Sequence, residues 1–142
     1  MKQLPMRQAF QLLCSSSNRL KDRDQVYDSG LYTYKSNLKR MPGSINYERM
    51  IELLEVFNFE QVNGYTFTSG HQSLDDAVSY LMLELYPDID RELKATHNFY
   101  KAKERWKSDP SKPTIRKKLE LLSVMGISVI TEPIFKVPDE LL

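Results

Sequence analysis

The side chains best suited to catalysis or metal binding are scarce in this sequence. The two histidines, His71 and His97, are widely separated, and Cys14 is the only cysteine. The sequence has no His and Cys cluster with metal-ligand spacing, no phosphate-cradling glycine loop and no nucleophile elbow. We therefore expect neither an enzyme nor a metal or other cofactor site, and we expect Cys14 to be a buried thiol.

The basic side chains are more informative, because they are clustered. The chain has 20 Lys and Arg and 19 Asp and Glu, a net charge of +1. Residues 91–118 hold 10 basic and 3 acidic residues, whereas residues 51–90 hold 8 acidic residues and no basic one. Since polyanion binding depends on local charge, segment 91–118 predicts a surface for phosphate groups such as those of a nucleic acid.

Two segments of the sequence align without gaps at an offset of 68 residues. Segment 51–67 matches segment 119–135, and the recurring residues are Glu52, Leu53, Leu54, Val56 and Phe67, which return as Glu120, Leu121, Leu122, Val124 and Phe135. Upstream, Tyr34-Lys35 aligns with Tyr100-Lys101 at an offset of 66, which predicts a loop two residues longer in the second copy. The recurrence predicts two similar units, residues 1–68 and 69–142.

Hydrophobic periodicity and capping residues predict four helices in each copy. In the first copy, helical spacing begins at Met6, the third helix covers 31–40, and Ser44 or Asn46 caps the fourth helix. In the second copy, Ser73 caps the first helix, and the third covers about 97–108. The fourth helix of this copy runs from a cap at Thr114 to a glycine C-cap at Gly126.

Short β segments are predicted after the fourth helix of each copy, at 59–67 and 127–135. The Asn63-Gly64 pair is a strong signal for a β-hairpin. Because a lone hairpin is marginally stable in water, we expect these segments to associate, either between the two halves or between two chains in a homodimer.

The back half of each copy resembles the Cro and phage-repressor type of helix-turn-helix domain, the XRE-like family. The resemblance rests on YKSNLKRMPGSINYERMIELLEVFNF at 34–59, and on 114–127 with its LLSVMG. It covers about 55 residues of each copy. Asn58 departs from the family pattern, which has glycine there, and helix two at 19–26 lacks the usual small residue and apolar pair. The implied fold is mainly α, with two helix-turn-helix-like units and hairpin-like β segments after the fourth helix of each.

This resemblance implies that the third helix of each copy lies in a DNA major groove, with Leu31, Tyr34 or Leu38 facing the core. Asn37 would recognise adenine and Arg40 guanine. The candidate DNA contacts in the first copy are Tyr32, Thr33, Ser36, Asn37, Lys39 and Arg40. Those in the second copy are Asn98, Lys101, Lys103, Arg105 and Lys107, with Lys112, Arg116 and Lys117 on phosphates.

The implied function is a sequence-specific double-stranded DNA-binding transcriptional regulator, such as a repressor of a phage or mobile element. Two alternatives remain open. The near-zero net charge and the acidic segment 52–90 favour a protein-binding adaptor or inhibitor on the same scaffold. The order helix, strand, strand at 53–67 favours a small RNA-binding α+β module, in which Tyr65 stands where related toxins have a catalytic histidine.

The apolar runs of the sequence are too short to cross a bilayer or to form a secretory signal. We therefore expect a cytoplasmic protein without a membrane partner, and no small-molecule ligand is evident.

Overall fold

A computed structural model describes residues 2–41, 43 and 45–142, and within them the chain is mainly helical with short antiparallel strands, as the sequence predicts. The chain divides into two compact units. Unit 1 comprises the residues up to Asn63 together with Glu132–Leu142, and unit 2 comprises Gly64–Thr131. This division differs from the predicted one at 68 and 69, because the last segment of the chain belongs to the first unit.

Unit 1 contains four α-helices in its described residues, joined by short turns. Their bounds are α1 at Met6–Ser15, α2 at Arg23–Asp28, α3 at Leu31–Arg40 and α4 at Tyr47–Val56. Its strands are β1 at Gln3–Pro5, β2 at Glu60–Asn63 and β5 at Ile134–Lys136. The predicted cap at Asn46 is confirmed, since its side chain accepts a 3.1 Å hydrogen bond from the Arg49 amide. The alternative cap, Ser44, lies outside the described residues.

Unit 2 repeats this order of helices. Its elements are β3 at Thr66–Phe67, α5 at Leu74–Tyr80 with a π-helical extension at Leu81–Leu85, α6 at Arg91–Thr96, α7 at Phe99–Ser108, α8 at Ile115–Val124 and β4 at Val129–Thr131. The predicted caps at Ser73 and Thr114 are confirmed by hydrogen bonds of 3.1 Å from the amides three residues later. Gly126 ends the fourth helix with a φ of 78°, as predicted for a glycine C-cap.

From the second helix of each unit to the fourth, the helix bounds recur at an offset of 68 residues. Helices α2, α3 and α4 correspond in this way to α6, α7 and α8, residue for residue at both ends. The offset of 66 for Tyr34-Lys35 is therefore wrong, and so is the longer second loop. The loops at 41–46 and 109–114 have equal length, and Tyr32 is the residue that corresponds to Tyr100.

The two β segments do not form hairpins. In unit 1, β2 pairs with β5, which also pairs with β1, and in unit 2, β3 pairs with β4. The hairpin prediction at Asn63-Gly64 is wrong because a type I′ turn needs a positive φ at both residues, and Asn63 does not adopt one. The first segment instead supplies β2 to unit 1 and β3 to unit 2, and the second segment supplies β4 to unit 2 and β5 to unit 1.

The hydrophobic cores show the same exchange of strands. Phe135, from the second copy, is fully buried in the core of unit 1 beside Phe10, Leu53 and Leu54. Phe67, from the first copy, is 1% exposed in the core of unit 2 beside Leu81 and Leu121. Each unit is therefore completed by the last strand of the other copy.

Cys14 lies in the core of unit 1 and is buried, as predicted. Burial raises the pKa of its thiol to about 11, so the side chain is neutral at physiological pH.

None of the helices in the described part of the chain is long and apolar enough to cross a membrane.

Candidate nucleic-acid interface

Helix α3 presents a polar face to solvent. Tyr32, Thr33, Ser36, Lys39 and Arg40 are exposed, and Asn37 is half-buried. Leu31 is buried, and Tyr34 and Leu38 are half-buried against the unit 1 core, which agrees with the predicted inward face. The exposed candidates thus lie on one side of the helix.

Tyr32 is held at the start of α3 by Arg23. One guanidinium nitrogen of Arg23 donates to the Tyr32 hydroxyl, and another donates to the carbonyl oxygens of Ser17 and Leu20, at 2.8 and 3.2 Å. In contrast, no ion pair joins Lys39 or Arg40 to another described residue. Their charges are available to a partner.

A residue in the left-handed conformation precedes both α3 and the corresponding helix of unit 2, α7. Gly30 has a φ of 73° before α3, and Asn98 has a φ of 56° before α7. Asparagine tolerates this conformation better than most residues with a side chain. Asn98, predicted as a DNA contact within the helix, is therefore the exposed turn residue that precedes it.

A second left-handed pair, Asn58 and Gly126, follows the ends of α4 and α8. Asn58 thus adopts the conformation of the glycine that it replaces.

In each unit, a basic residue of the fourth helix binds the turn that precedes the third helix. The same basic residue also pairs with a glutamate on its own helix. Arg49 donates to the Ser29 carbonyl oxygen at 2.9 Å and pairs with Glu52 at 2.6 Å. Lys117 donates to the His97 carbonyl oxygen at 2.9 Å and pairs with Glu120 at 3.1 Å. The two sets correspond at the offset of 68, and we call each a turn clamp. The predicted phosphate contact Lys117 therefore has its amine engaged within the protein.

We expect Lys117→Met to lower the free energy of unfolding by about 0.5–1.5 kcal/mol, because the aliphatic stem stays while the amine no longer donates to the carbonyl oxygen. Urea denaturation at neutral pH measures the change. Lys107→Met is the matched control, since Lys107 is exposed and forms no ion pair in the described residues. Equal midpoints for the two variants would show that the clamp contributes nothing to stability.

Helix α7 separates its basic side chains into two groups. Lys101, Arg105 and Lys107 are exposed, and no ion pair within the described residues neutralises them. Lys103 is half-buried, and its amine lies 4.0 Å from the centre of the Tyr86 ring. Burial, followed by the charges of Lys107 and Lys94, lowers the pKa of Lys103. Lys103 thus packs on Tyr86 rather than with the exposed candidates.

A depression of about 200 Å³ lies beside the first turn of α8 in unit 2. Its lining is Asn98, Lys101, Ala102, Arg105, Pro113, Thr114 and Lys117. Three of these residues are cationic, and only Lys117 has an acidic partner, Glu120, among the described residues. We call this feature the α7–α8 depression. It brings together four of the predicted contacts, Asn98, Lys101, Arg105 and Lys117.

The remaining predicted phosphate contacts flank the depression in sequence. Lys112 donates to the Ser108 hydroxyl at 3.1 Å and so joins the α7–α8 loop to the end of α7. Arg116 is exposed on the first turn of α8. Asp109, in the same loop, accepts hydrogen bonds from the Ser111 amide and hydroxyl, which lower its pKa.

Sequence reasoning missed the turn clamps, although a signal for them was present. Glu52 and Glu120 were identified as a recurring pair, and each has a basic residue three positions before it. Spacing of three on a helix places both side chains on one face, where they can pair.

The described residues contain no group of three or more His, Cys, Asp or Glu side chains that could hold a metal ion. No protein-family model, curated protein or solved structure matches this chain.

Proposed function

We propose that this protein binds double-stranded DNA through the exposed faces of α3 and α7 and regulates transcription by occupying specific sites. The observation that carries the proposal is the α7–α8 depression, where Lys101 and Arg105 lack acidic partners among the described residues. Unpaired cations at a concave surface favour a polyanionic partner, because neutralisation of its phosphates by Lys and Arg releases condensed counterions.

Phosphate is the chemistry that this depression suits. Lys101 supplies a point charge, and Arg105 supplies a planar set of donors that can bind two phosphate oxygens at once. In DNA complexes such contacts fix the orientation of the protein on the duplex and carry no sequence information directly. The depression therefore accounts for affinity.

Specificity would come from α3 in unit 1. Asn37 can donate to and accept from adenine, and Arg40 can donate two hydrogen bonds to guanine. Arg23 fixes Tyr32 at the start of the same helix, where base edges are contacted in helix-turn-helix complexes. We place the activity in the cytoplasm, where an unpaired cysteine such as Cys14 stays reduced.

Of the two alternatives, the RNA-binding α+β module was based on the order helix, strand, strand at 53–67, and strands 60–63 and 66–67 pair with β5 and β4 rather than with each other. The protein-binding adaptor is the hypothesis that replaces DNA binding if the following test fails.

The test is the salt dependence of binding by the full chain. Affinity for random duplex DNA, single-stranded RNA and uncharged control polymer is measured by fluorescence anisotropy from low to physiological ionic strength. We expect duplex binding whose log affinity falls linearly with log salt concentration, with a slope near −0.9 for each phosphate contacted. Absence of salt-sensitive duplex binding at low ionic strength would overturn the proposed function, and tighter binding to the RNA would do the same.

A further inference from the structure

We propose that unit 2 holds a second phosphate-binding site, on the flank of α7 opposite the α7–α8 depression. Its residues are Tyr86, Lys94, Tyr100 and Lys103, which we call the tyrosine–lysine cluster. The inference rests on the proposed function, because the ligand that we assign to the cluster is a phosphate of the DNA backbone.

The cluster is assembled around the ring of Tyr86. The amine of Lys103, from α7, lies 4.0 Å from the centre of this ring, and the amine of Lys94, from α6, lies 4.3 Å from it. Tyr100 packs edge-on against the same ring, with 6.5 Å between the ring centres. The amine of Lys94 also lies 6.0 Å from the centre of the Tyr100 ring. Two ammonium groups from different helices thus share one aromatic ring.

This arrangement leaves the two positive charges without an acidic partner. No ion pair joins Lys94 or Lys103 to an acidic side chain in the part of the chain that the structure describes. The face of an aromatic ring attracts a cation but carries no net charge, so the two ammonium groups still repel each other. Burial, followed by the charges of Lys107 and Lys94, lowers the pKa of Lys103. An anion bound between the two amines would relieve this repulsion.

The cluster is open to solvent and suits the oxygen atoms of a phosphate group. Tyr100 is 46% exposed, and Tyr86, Lys94 and Lys103 are half-buried. An ammonium group has three N–H donors, and a phenol adds an O–H donor. Burial, followed by the neighbouring Tyr100, raises the pKa of Tyr86, so its hydroxyl keeps the proton that it can donate. The donors of the cluster therefore match an acceptor that carries negative charge.

The position of the cluster on α7 indicates which phosphates it contacts. Successive residues of an α-helix are about 100° apart, so Lys103 lies about 200° around the helix from Lys101. Lys101 and Arg105 line the α7–α8 depression on one flank, and Lys103 belongs to the other. The exposed side chain of Glu104 lies between the two flanks. Because phosphates of both strands border a major groove, a helix in the groove can contact one row with each flank.

The double variant Lys94→Met with Lys103→Met tests the proposal. Methionine removes both charges and keeps an unbranched side chain that can pack on Tyr86. Fluorescence anisotropy with the full chain measures its affinity for random duplex DNA, and for a preferred duplex enriched from a random pool, over a range of salt concentrations. We expect weaker binding to both duplexes. The slope of log affinity against log salt should fall by about two, roughly one for each phosphate that is no longer neutralised.

The matched control is Lys2→Met with Lys21→Met, which removes the same charge at exposed positions of unit 1. Its affinity and slope should stay near those of the unmodified protein. Unchanged binding by the Lys94 and Lys103 variant, or an equal loss in the control, overturns the inference while DNA binding stands. Absence of salt-sensitive duplex binding by the unmodified protein overturns the proposed function itself.

A second measurement uses the unmodified protein and decides even if the variant does not fold. Carbon NMR of the lysine side chains reports the pKa of Lys103 in the free protein, with saturating duplex and with inorganic phosphate. A bound phosphate stabilises the charged ammonium group, so duplex should raise the pKa of Lys103 by more than that of Lys2. No such rise with duplex, whether or not inorganic phosphate produces one, overturns the assignment of the cluster to the DNA backbone.

Discussion

Replacing Phe67 by alanine is expected to lower the free energy of unfolding by about 3–5 kcal/mol, the range for truncating a buried phenylalanine. Phe67 is 1% exposed and Phe135 is fully buried, so Phe135→Ala should have a similar effect. The location of the damage is the more informative result. Phe67 belongs to the first copy in sequence, yet it packs in the core of unit 2, whereas Phe135 packs in unit 1.

Amide hydrogen exchange of the two variants measures this location. In Phe67→Ala, protection should fall in α5 and α8, and in Phe135→Ala it should fall in α1 and α4. Val62→Ala and Ile130→Ala are suitable controls, because these side chains are exposed on the neighbouring strands β2 and β4. Reduced protection in the first copy's own helices after Phe67→Ala would show that the strands are not exchanged.

The helices were largely predictable because their signals are local. Apolar spacing and the caps at Asn46, Ser73 and Thr114 depend on residues within one or two turns. The 68-residue recurrence of Leu53 and Leu54 as Leu121 and Leu122 was also visible in the sequence, since buried positions retain their apolar type.

The pairing of the strands was not predictable, because it is not local. Segment 60–67 carries a hairpin dipeptide, and nothing near it in sequence indicates that its partner lies in residues 129–136. The offset of 66 failed for a related reason. Tyr34-Lys35 and Tyr100-Lys101 share residue types, but Tyr34 is half-buried and Tyr100 is exposed, so they occupy different helix faces.

The candidate site was predictable at the level of the helix face but not of each side chain. Exposure of Thr33, Ser36, Lys101 and Arg105 follows from helical periodicity. What a long basic side chain contacts does not follow, because it depends on neighbours brought by the fold. Lys117 donates to the carbonyl oxygen of His97, at the end of α6, and the amine of Lys103 lies over the ring of Tyr86.

The two recognition helices are expected to fail in different ways when mutated. Lys101→Glu with Arg105→Glu removes two cations from the α7–α8 depression. Because phosphates are present in every sequence, binding should weaken on preferred and random duplexes alike. The slope of log affinity against log salt should fall by about two, roughly one for each phosphate that the variant no longer neutralises.

The control for this double variant is Lys21→Glu with Arg91→Glu, which changes the net charge by the same amount at exposed positions outside α3, α7 and α8. Its slope should stay near that of the unmodified protein. An equal weakening of binding in the two double variants would mean that net charge, rather than the depression, governs binding.

Asn37→Ala and Arg40→Ala should instead remove hydrogen bonds to base edges. Each is expected to cost roughly 1–3 kcal/mol on the preferred duplex and much less on random DNA, so the ratio of the two affinities should fall by about five- to 150-fold. The salt slope should change little for Asn37→Ala, which removes no charge. Lys39 is exposed and adjacent to Arg40 in sequence, so Lys39→Ala removes a charge from the same helix without removing a residue assigned to base recognition. A reduced slope with an unchanged affinity ratio for Asn37→Ala would contradict base recognition by α3, because the residue would then act on the backbone alone.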